Sequence, residues 1–194
     1  MWNRFTIRAK RIVFYAQEKA EAQGNTDVAP EHLLLGVLQE VLTKEMKADE
    51  TVWPPAPTDR LDPRNAIASL LRQPGSDLEK LQLEAKRCAA SLNARANAND
   101  ICLTPSAIRI IDLMYQEAKL AGAAKISAEF LLLALIADKT STAGKLLALH
   151  GFDLESARQR VAVIHMSAKK QKPAKPSLLT QFAQKFSAKP KDNP

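Results

Sequence analysis

Glycine, cysteine and aromatic residues are all scarce in this sequence. Of its 194 residues, six are glycine, two are cysteine and 5% are aromatic. None of the glycines begins the pattern G-x-x-x-x-G-K-[ST], so nucleotide binding by that phosphate-cradling loop is excluded. The cysteines, Cys88 and Cys102, are too few for a disulfide framework and are interpreted as reduced thiols. Few aromatic residues beside many alanines and leucines favour packed helices over a β-sandwich.

Long apolar runs and clustered metal ligands are missing too. No run approaches the roughly 18–20 residues of a membrane span, and the N-terminus lacks the apolar stretch of a signal peptide. We therefore expect a cytoplasmic protein outside the membrane. The histidines, His32, His150 and His165, are scattered and show no zinc-binding spacing, and His32 is interpreted as structural. Because no nucleophile stands beside an evident base, we expect no metal, no cofactor and no enzymatic activity.

The positive charge is concentrated at the C-terminus. The net charge is +7, but residues 167–194 contain seven lysines and one acid and so contribute +6 of it. The remaining 166 residues carry only +1. A folded reader of nucleic acid usually carries its charge on the domain itself, whereas a lysine-rich tail is more often a solvated linker. We therefore expect a disordered basic tail and no specific binding of nucleic acid.

A helical unit that occurs twice is the most informative feature of the sequence. In the first part of the unit, equivalent residues stand 98 positions apart, as in Thr6 and Thr104, Glu31 and Glu129, and Leu33-Leu34-Leu35 and Leu131-Leu132-Leu133. Further along, the offset is 76, as in Gly75 and Gly151, and Asp77-Leu78-Glu79 and Asp153-Leu154-Glu155. The difference predicts an insertion of 22 residues in the first unit, at about 43–64. Duplication means that a site in one copy should have a counterpart in the other.

Each unit is predicted to contain four helices, which gives eight in all. The first helix of each unit has an apolar stripe in the same phase, formed by Ala9, Ile12, Val13, Ala16 and Ala20, and by Ala107, Ile110, Ile111, Met114 and Ala118. Thr6 and Thr104 are predicted to cap these helices, and Gly24 and Gly122 are predicted to end them.

The remaining three helices of each unit are predicted from the pattern of apolar residues and from the residues that end helices. They are predicted over 30–38 and 128–136, 66–72 and 142–149, and about 77–92 and 153–166. The pair over 30–38 and 128–136 is apolar nearly all round and should be buried. Within that pair, the small residues Gly36 and Ala134 should allow close helix approach, and Ser127 should cap the second member.

Four stretches carry a resemblance to a known family. They are Arg4-Phe5-Thr6 and Glu31-His32-Leu33-Leu34-Leu35-Gly36 in the first copy, and Leu103-Thr104-Pro105 and Glu129-Phe130-Leu131-Leu132 in the second. Over about residues 3–166, the chain resembles the N-terminal Clp repeat domain of the Hsp100/Clp unfoldases, closest to the ClpC and ClpA types. The resemblance implies an all-α fold of two four-helix repeats related by pseudo-twofold symmetry. It also implies a role in docking adaptors and substrates for an ATP-driven unfoldase.

This interpretation divides the chain into a domain and a tail. A double Clp-repeat domain is expected over 1–166, with repeat one at about 3–95 and repeat two at about 101–166, followed by a Lys/Pro-rich tail or linker over 167–194. The sequence is compatible with a standalone protein and with the N-terminal piece of a longer Clp ATPase. The expected partners are Clp adaptors, unfolded or marked substrate proteins, and the Clp ATPase or protease, and the isolated chain is expected to be a monomer. Two alternatives remain: an accessory protein that binds the Clp machine itself, and a nucleic-acid binder that acts through the tail.

Two glutamates are the candidate binding residues. Glu31 and Glu129 are predicted in the first turn of their helices, where the helix dipole alone favours an acid. In ClpC-like domains, the matching glutamates belong to pockets that bind phosphorylated arginine, and the resemblance implies such pockets here. Thr6, Thr104 and Ser127 are the candidate hydroxyl contacts. Because the first copy lacks the hydroxyl of Ser127, the second pocket is predicted to be the better one.

Overall fold

The fold is built almost entirely from helices. The computed structural model describes residues 2–46, 66–90 and 102–170. Within these ranges it contains eight α-helices: α1 (Ile7–Ala22), α2 (Pro30–Met46), α3 (Ala66–Leu71), α4 (Leu78–Ala90), α5 (Pro105–Leu120), α6 (Ala128–Ala137), α7 (Thr142–Leu149) and α8 (Leu154–Lys170). The predicted all-α class with eight helices is confirmed. The insertion that contains Trp53 and the predicted disordered tail beyond 170 lie outside the described residues.

Two helices continue beyond their predicted ends. α2 runs to Met46, inside the stretch assigned to the insertion, and α8 runs to Lys170, past the predicted end of the domain at 166. The added residues, among them alanine, lysine, glutamate and methionine, are compatible with helix. The first prolines come only later, at Pro54 and Pro173, so no breaker stops either helix where the sequence interpretation placed its end.

The first helix of each repeat buries the predicted stripe. All ten stripe residues of α1 and α5 are buried. The hydroxyl of Thr6 accepts from the N–H of Ala9 at 3.2 Å, and the hydroxyl of Thr104 accepts from the N–H of Ala107 at 3.1 Å, so both predicted N-caps are confirmed. Gly24, just after α1, has a φ of +71°, a left-handed conformation that glycine adopts without strain.

The repeats are related by pseudo-twofold symmetry around α2 and α6. α1 packs against α2 and α6, and its counterpart α5 packs against α6 and α2. α3 packs against α6 and α8, and its counterpart α7 packs against α2 and α4. Because each of these contacts recurs with the two repeats exchanged, the predicted pseudo-twofold arrangement is confirmed. The leucine triplets of α2 and α6 are buried at its centre.

Short extended segments cross from one repeat to the other. β1 (Asp27–Val28) pairs in parallel with β2 (Cys102–Leu103), which precedes the first helix of repeat two. The equivalent pairing, also parallel, joins Phe5 to Ile126. In each repeat, the segment before the first helix thus pairs with the segment before the second helix of the other repeat. These pairings, called the exchanged strands, were not predicted from the sequence.

Glycine allows α1 and α2 to approach closely at one point. A Cβ atom placed on Gly36 would lie 2.5 Å from the backbone oxygen of Ile12 and 3.2 Å from the backbone nitrogen of Ala16. A side chain of any size would therefore push α1 and α2 apart. The predicted role of Gly36 in close helix approach is confirmed.

Candidate functional site

Thr6, Ser127 and Glu129 lie together at the start of α6, in a cluster that we call site two. The backbone N–H of Thr6 donates to the carbonyl of Ile126 at 2.9 Å, which places the N-cap of α1 beside the entrance of α6. Thr6, Ser127 and Glu129 are all buried, and Glu129 is only 1% exposed. Three of the five predicted site residues therefore form one cluster, drawn from both repeats.

Thr104 and Glu31 form the equivalent cluster, site one, at the start of α2. The backbone N–H of Thr104 donates to the carbonyl of Val28 at 3.0 Å, so the N-cap of α5 stands beside the entrance of α2. Glu31 is 5% exposed. Ala29 stands where Ser127 stands in site two, so that hydroxyl is missing here. The two sites thus share a buried glutamate and a threonine from the opposite repeat, but differ in their surroundings.

A histidine of α8 holds the carboxylate of site two. Nε2 of His165 lies 2.7 Å from Oε1 of Glu129, whereas Oε2 is buried with no partner at hydrogen-bond distance among the described residues. Burial raises the pKa of the Glu129 carboxyl, but His165 and the nearby hydroxyl of Ser127 lower it by more. The net pKa lies below the usual range, so Glu129 is a carboxylate at neutral pH.

The backbone N–H groups at the starts of α2 and α6 are not capped as the sequence predicted. Ser127 occupies the N-cap position of α6, but its hydroxyl makes no capping hydrogen bond, so the predicted cap is wrong. At the start of α2, Nδ1 of His32 accepts from the backbone N–H of Ala29 at 3.0 Å. A side chain three residues inside the helix therefore satisfies the entrance of α2, as the glutamate of a capping box does.

His32 is a neutral structural residue. Because Nδ1 accepts from a backbone N–H, the ring proton belongs on Nε2, which lies 3.2 Å from Oε1 of Gln23. The side chain is completely buried. Burial lowers the pKa of His32 to about 4, so the ring stays neutral well below pH 7. The structural interpretation of this residue agrees with its surroundings.

Protonation of His32 in the unfolded chain predicts a pH-dependent stability. Between about pH 6.5 and pH 4, the unfolded imidazole binds a proton that the folded one does not, so stability falls as the pH falls. From pH 7 to pH 5, His32 should contribute a loss of about 2 kcal/mol. The substitution His32→Phe, which introduces the residue of the equivalent position Phe130, should remove this loss. Urea titrations of both proteins at the two pH values measure the difference, and an unchanged pH dependence in the variant would contradict it.

The sequence interpretation missed a duplicated ion pair between the first and second helices of each repeat. Glu40 accepts from Nε of Arg8 at 2.8 Å and from Nε of Arg11 at 2.7 Å. In repeat two, Asp138 pairs with Arg109 at 3.0 Å. A signal was present, because Arg11 and Arg109, like Glu40 and Asp138, stand 98 positions apart. The ion pair is therefore a feature that both repeats share, and it lies outside sites one and two.

The described residues show neither a metal centre nor a membrane span. Nowhere in them do three or more histidine, cysteine or acidic side chains come together as metal ligands would. None of their helices combines the length and apolar character needed to cross a bilayer. Both sites offer a carboxylate beside a threonine and a helix start, and site two adds the imidazole of His165.

Comparison with known proteins points to one family. The model of the Clp repeat (R) N-terminal domain matches residues 61–150. ClpC/MecB of Bacillus subtilis, a negative regulator of genetic competence, is 30% identical over 163 residues. The chaperone protein ClpB of Oceanobacillus iheyensis is 27% identical over 161 residues. Each alignment covers 83% of this chain but 17% of the relative, so the chain spans a small part of the length of these proteins.

Solved structures show the same fold. The N-terminal domain of Hsp104 from Candida albicans superposes with a TM-score of 0.57 at 14% identity, covering 82% of this chain and 89% of that one. The N-terminal domain of the ClpV1 ATPase from E. coli superposes with a TM-score of 0.60 at 15% identity, covering 84% and 85%. At such low identities, the likeness shows the architecture alone.

Proposed function

Because this chain belongs to the Clp repeat N-terminal domain family, we propose that it docks adaptors and substrate proteins for a Clp unfoldase and catalyses no reaction itself. The domain is homologous to the adaptor- and substrate-docking domains of Clp unfoldases. The sites support a binding role, since each offers a ligand a carboxylate beside a threonine at the start of a helix.

The ligand that fits the two sites is arginine phosphorylated on its guanidinium, as carried by marked substrates. One observation carries this proposal: Glu31 and Glu129 each stand in the first turn of a central helix, beside a threonine of the opposite repeat. A carboxylate binds a guanidinium through paired charged hydrogen bonds. The N–H groups at a helix start bind phosphate, and the neighbouring hydroxyl adds a donor. Each site thus offers a carboxylate to the guanidinium and hydrogen-bond donors to the phosphate of the same ligand.

Titration with free phosphoarginine tests this proposal. We expect wild-type protein to bind at up to two related sites, and Glu31→Ala and Glu129→Ala each to weaken one of them. The loss of a charged hydrogen-bonding partner is worth about 1.5–3 kcal/mol, or roughly ten- to a hundredfold in affinity. NMR spectra with ¹⁵N-labelled protein at pH 7.5 assign each binding event to its site, and calorimetry gives the affinities.

A first-turn acid outside the two sites supplies the matched control. Glu79 stands in the first turn of α4 and is exposed, so Glu79→Ala removes the same kind of helix-start charge and should leave binding unchanged. Circular dichroism checks that helicity is retained in all three variants. If wild-type protein binds no phosphoarginine at millimolar concentration, the ligand proposal fails and Glu31 and Glu129 are structural helix-start acids.

A further inference from the structure

In site two, the carboxylate already has a side-chain hydrogen-bond partner. Nε2 of His165 lies 2.7 Å from Oε1 of Glu129. The imidazole ring also packs edge-on against the ring of Phe130, with centroids 5.5 Å apart. The side chain of His165 is 27% exposed while that of Glu129 is 1% exposed. The imidazole therefore stands between solvent and the carboxylate.

Site one has no counterpart to this histidine on its fourth helix. With the offset of 76 that relates α4 to α8, the position of His165 corresponds to Ala89. The histidine of repeat one is His32, at the position of Phe130, and its Nδ1 accepts from the N–H of Ala29 while its Nε2 lies 3.2 Å from Gln23. Both ring nitrogens of His32 are thus engaged away from Glu31. The histidine therefore stands at different positions in the two repeats, on the fourth helix in repeat two and on the second helix in repeat one.

We infer that the imidazole of His165 occupies the position that the ligand's guanidinium would take in site two, so that site one is the stronger phosphoarginine site, the reverse of the order expected from the hydroxyl of Ser127. The inference rests on the proposed function. A guanidinium that approaches Glu129 has to displace an imidazole that already donates to the carboxylate. The displaced interaction is a charge-assisted hydrogen bond, so we expect ligand affinity at site two to be about ten- to a hundredfold below that at site one.

The unused oxygen of Glu129 supports a binding role for site two. Oε2 is buried and has no partner at hydrogen-bond distance among the described residues, although buried carboxylate oxygens normally have one. The hydroxyl of Ser127 and the backbone of Thr6 lie beside the same helix start. Removal of the imidazole would therefore expose a carboxylate with an acceptor position to spare. His165 then acts as a specificity-determining residue that makes two related sites unequal.

Substitution of His165 tests the inference with free phosphoarginine as the probe. His165→Ala introduces the residue of the equivalent position Ala89. In ¹⁵N NMR titrations at pH 7.5, wild-type protein should show shifts around Glu31 at low ligand and around Glu129 only at much higher ligand. In His165→Ala, affinity at site two should rise ten- to a hundredfold, to that of site one. His165→Gln keeps a side-chain hydrogen-bond donor at this position, and should give an affinity between those of wild type and His165→Ala.

A second histidine–glutamate pair provides the control. His150 lies 2.9 Å from Glu84 on α4. His150→Ala removes a histidine–glutamate pair that includes neither Glu31 nor Glu129, so it should leave both affinities unchanged. If site one binds and His165→Ala leaves site two as weak as in wild type, or if both wild-type sites bind equally, the inference is overturned and the proposed function stands. If no variant binds phosphoarginine at either site, both the inference and the ligand proposal are overturned.

Discussion

Glu40→Ala is expected to lower the free energy of unfolding by about 3–5 kcal/mol, the usual cost of removing one partner from a buried ion pair. The carboxylate is 2% exposed and accepts from two guanidinium groups, of which Arg8 is itself only 4% exposed. Two positive charges at the junction of α1 and α2 would lose the carboxylate that they share. Urea unfolding followed by circular dichroism measures the change, provided that the denaturant dependence stays constant.

The second repeat offers the matched control for this substitution. Arg109, the counterpart of Arg11, pairs with Asp138 but is 51% exposed. Asp138 itself is buried, but it also accepts from the backbone N–H of Thr140 at 3.1 Å. Because solvent screens the exposed guanidinium and Thr140 still holds the carboxylate, Arg109→Ala should cost less than Glu40→Ala, about 1 kcal/mol. A Glu40→Ala protein within 1 kcal/mol of wild type would show that the buried carboxylate does not stabilise the α1–α2 contact.

Gly36→Ala is expected to destabilise the fold by about 3 kcal/mol, at the upper end of the cost of overpacking a core. Alanine is the better helix former by about 1 kcal/mol, so helix propensity alone predicts the opposite sign. The added Cβ would meet the backbone oxygen of Ile12 at 2.5 Å, and a backbone atom cannot rotate aside as a side chain can. Thermal unfolding and urea titration both measure the loss.

The equivalent position in repeat two separates packing from helix propensity. Ala134 stands where Gly36 stands in repeat one and is fully buried. Ala134→Gly should cost about 1 kcal/mol from helix propensity alone, with some addition for the lost methyl group. If Gly36→Ala were as stable as wild type, or more stable, the close approach of α1 and α2 would be wrong.

The helices were predictable because each unit repeats its own local signals. Thr6 and Thr104 cap α1 and α5 as expected, because an N-cap depends on atoms only three residues away. The buried stripes were predictable for the same reason, since a helix fixes its faces by its period. The ends of α2 and α8 were less predictable, because a chain without a helix breaker can continue its helix for another turn. Local differences of tenths of a kcal/mol decide where such a helix ends.

The grouping of the candidate residues was not predictable in the same way. The sequence indicated Glu31 and Glu129, but not that each would lie beside a threonine of the opposite repeat, because that depends on how the repeats dock. The pairing of His165 with Glu129 is likewise a contact between α8 and α6, 36 positions apart. Alignment of the two copies does show a histidine against Ala89, but not where its ring points. The sequences of the two repeats show which residues differ, but only the packed structure shows what each differing side chain contacts.

The exchanged strands also determine when this domain can fold during synthesis. Phe5 pairs with Ile126, about 120 residues later in the chain, and at roughly 5–20 residues per second the ribosome takes many seconds to reach it. Throughout that interval α2 lacks α6 and α7, against which it packs. A newly made chain therefore passes through a stage at which the apolar residues of α2 are exposed to proteins that bind such surfaces. A domain for which we propose the docking of substrate proteins would thus itself need protection of this kind while it is being made.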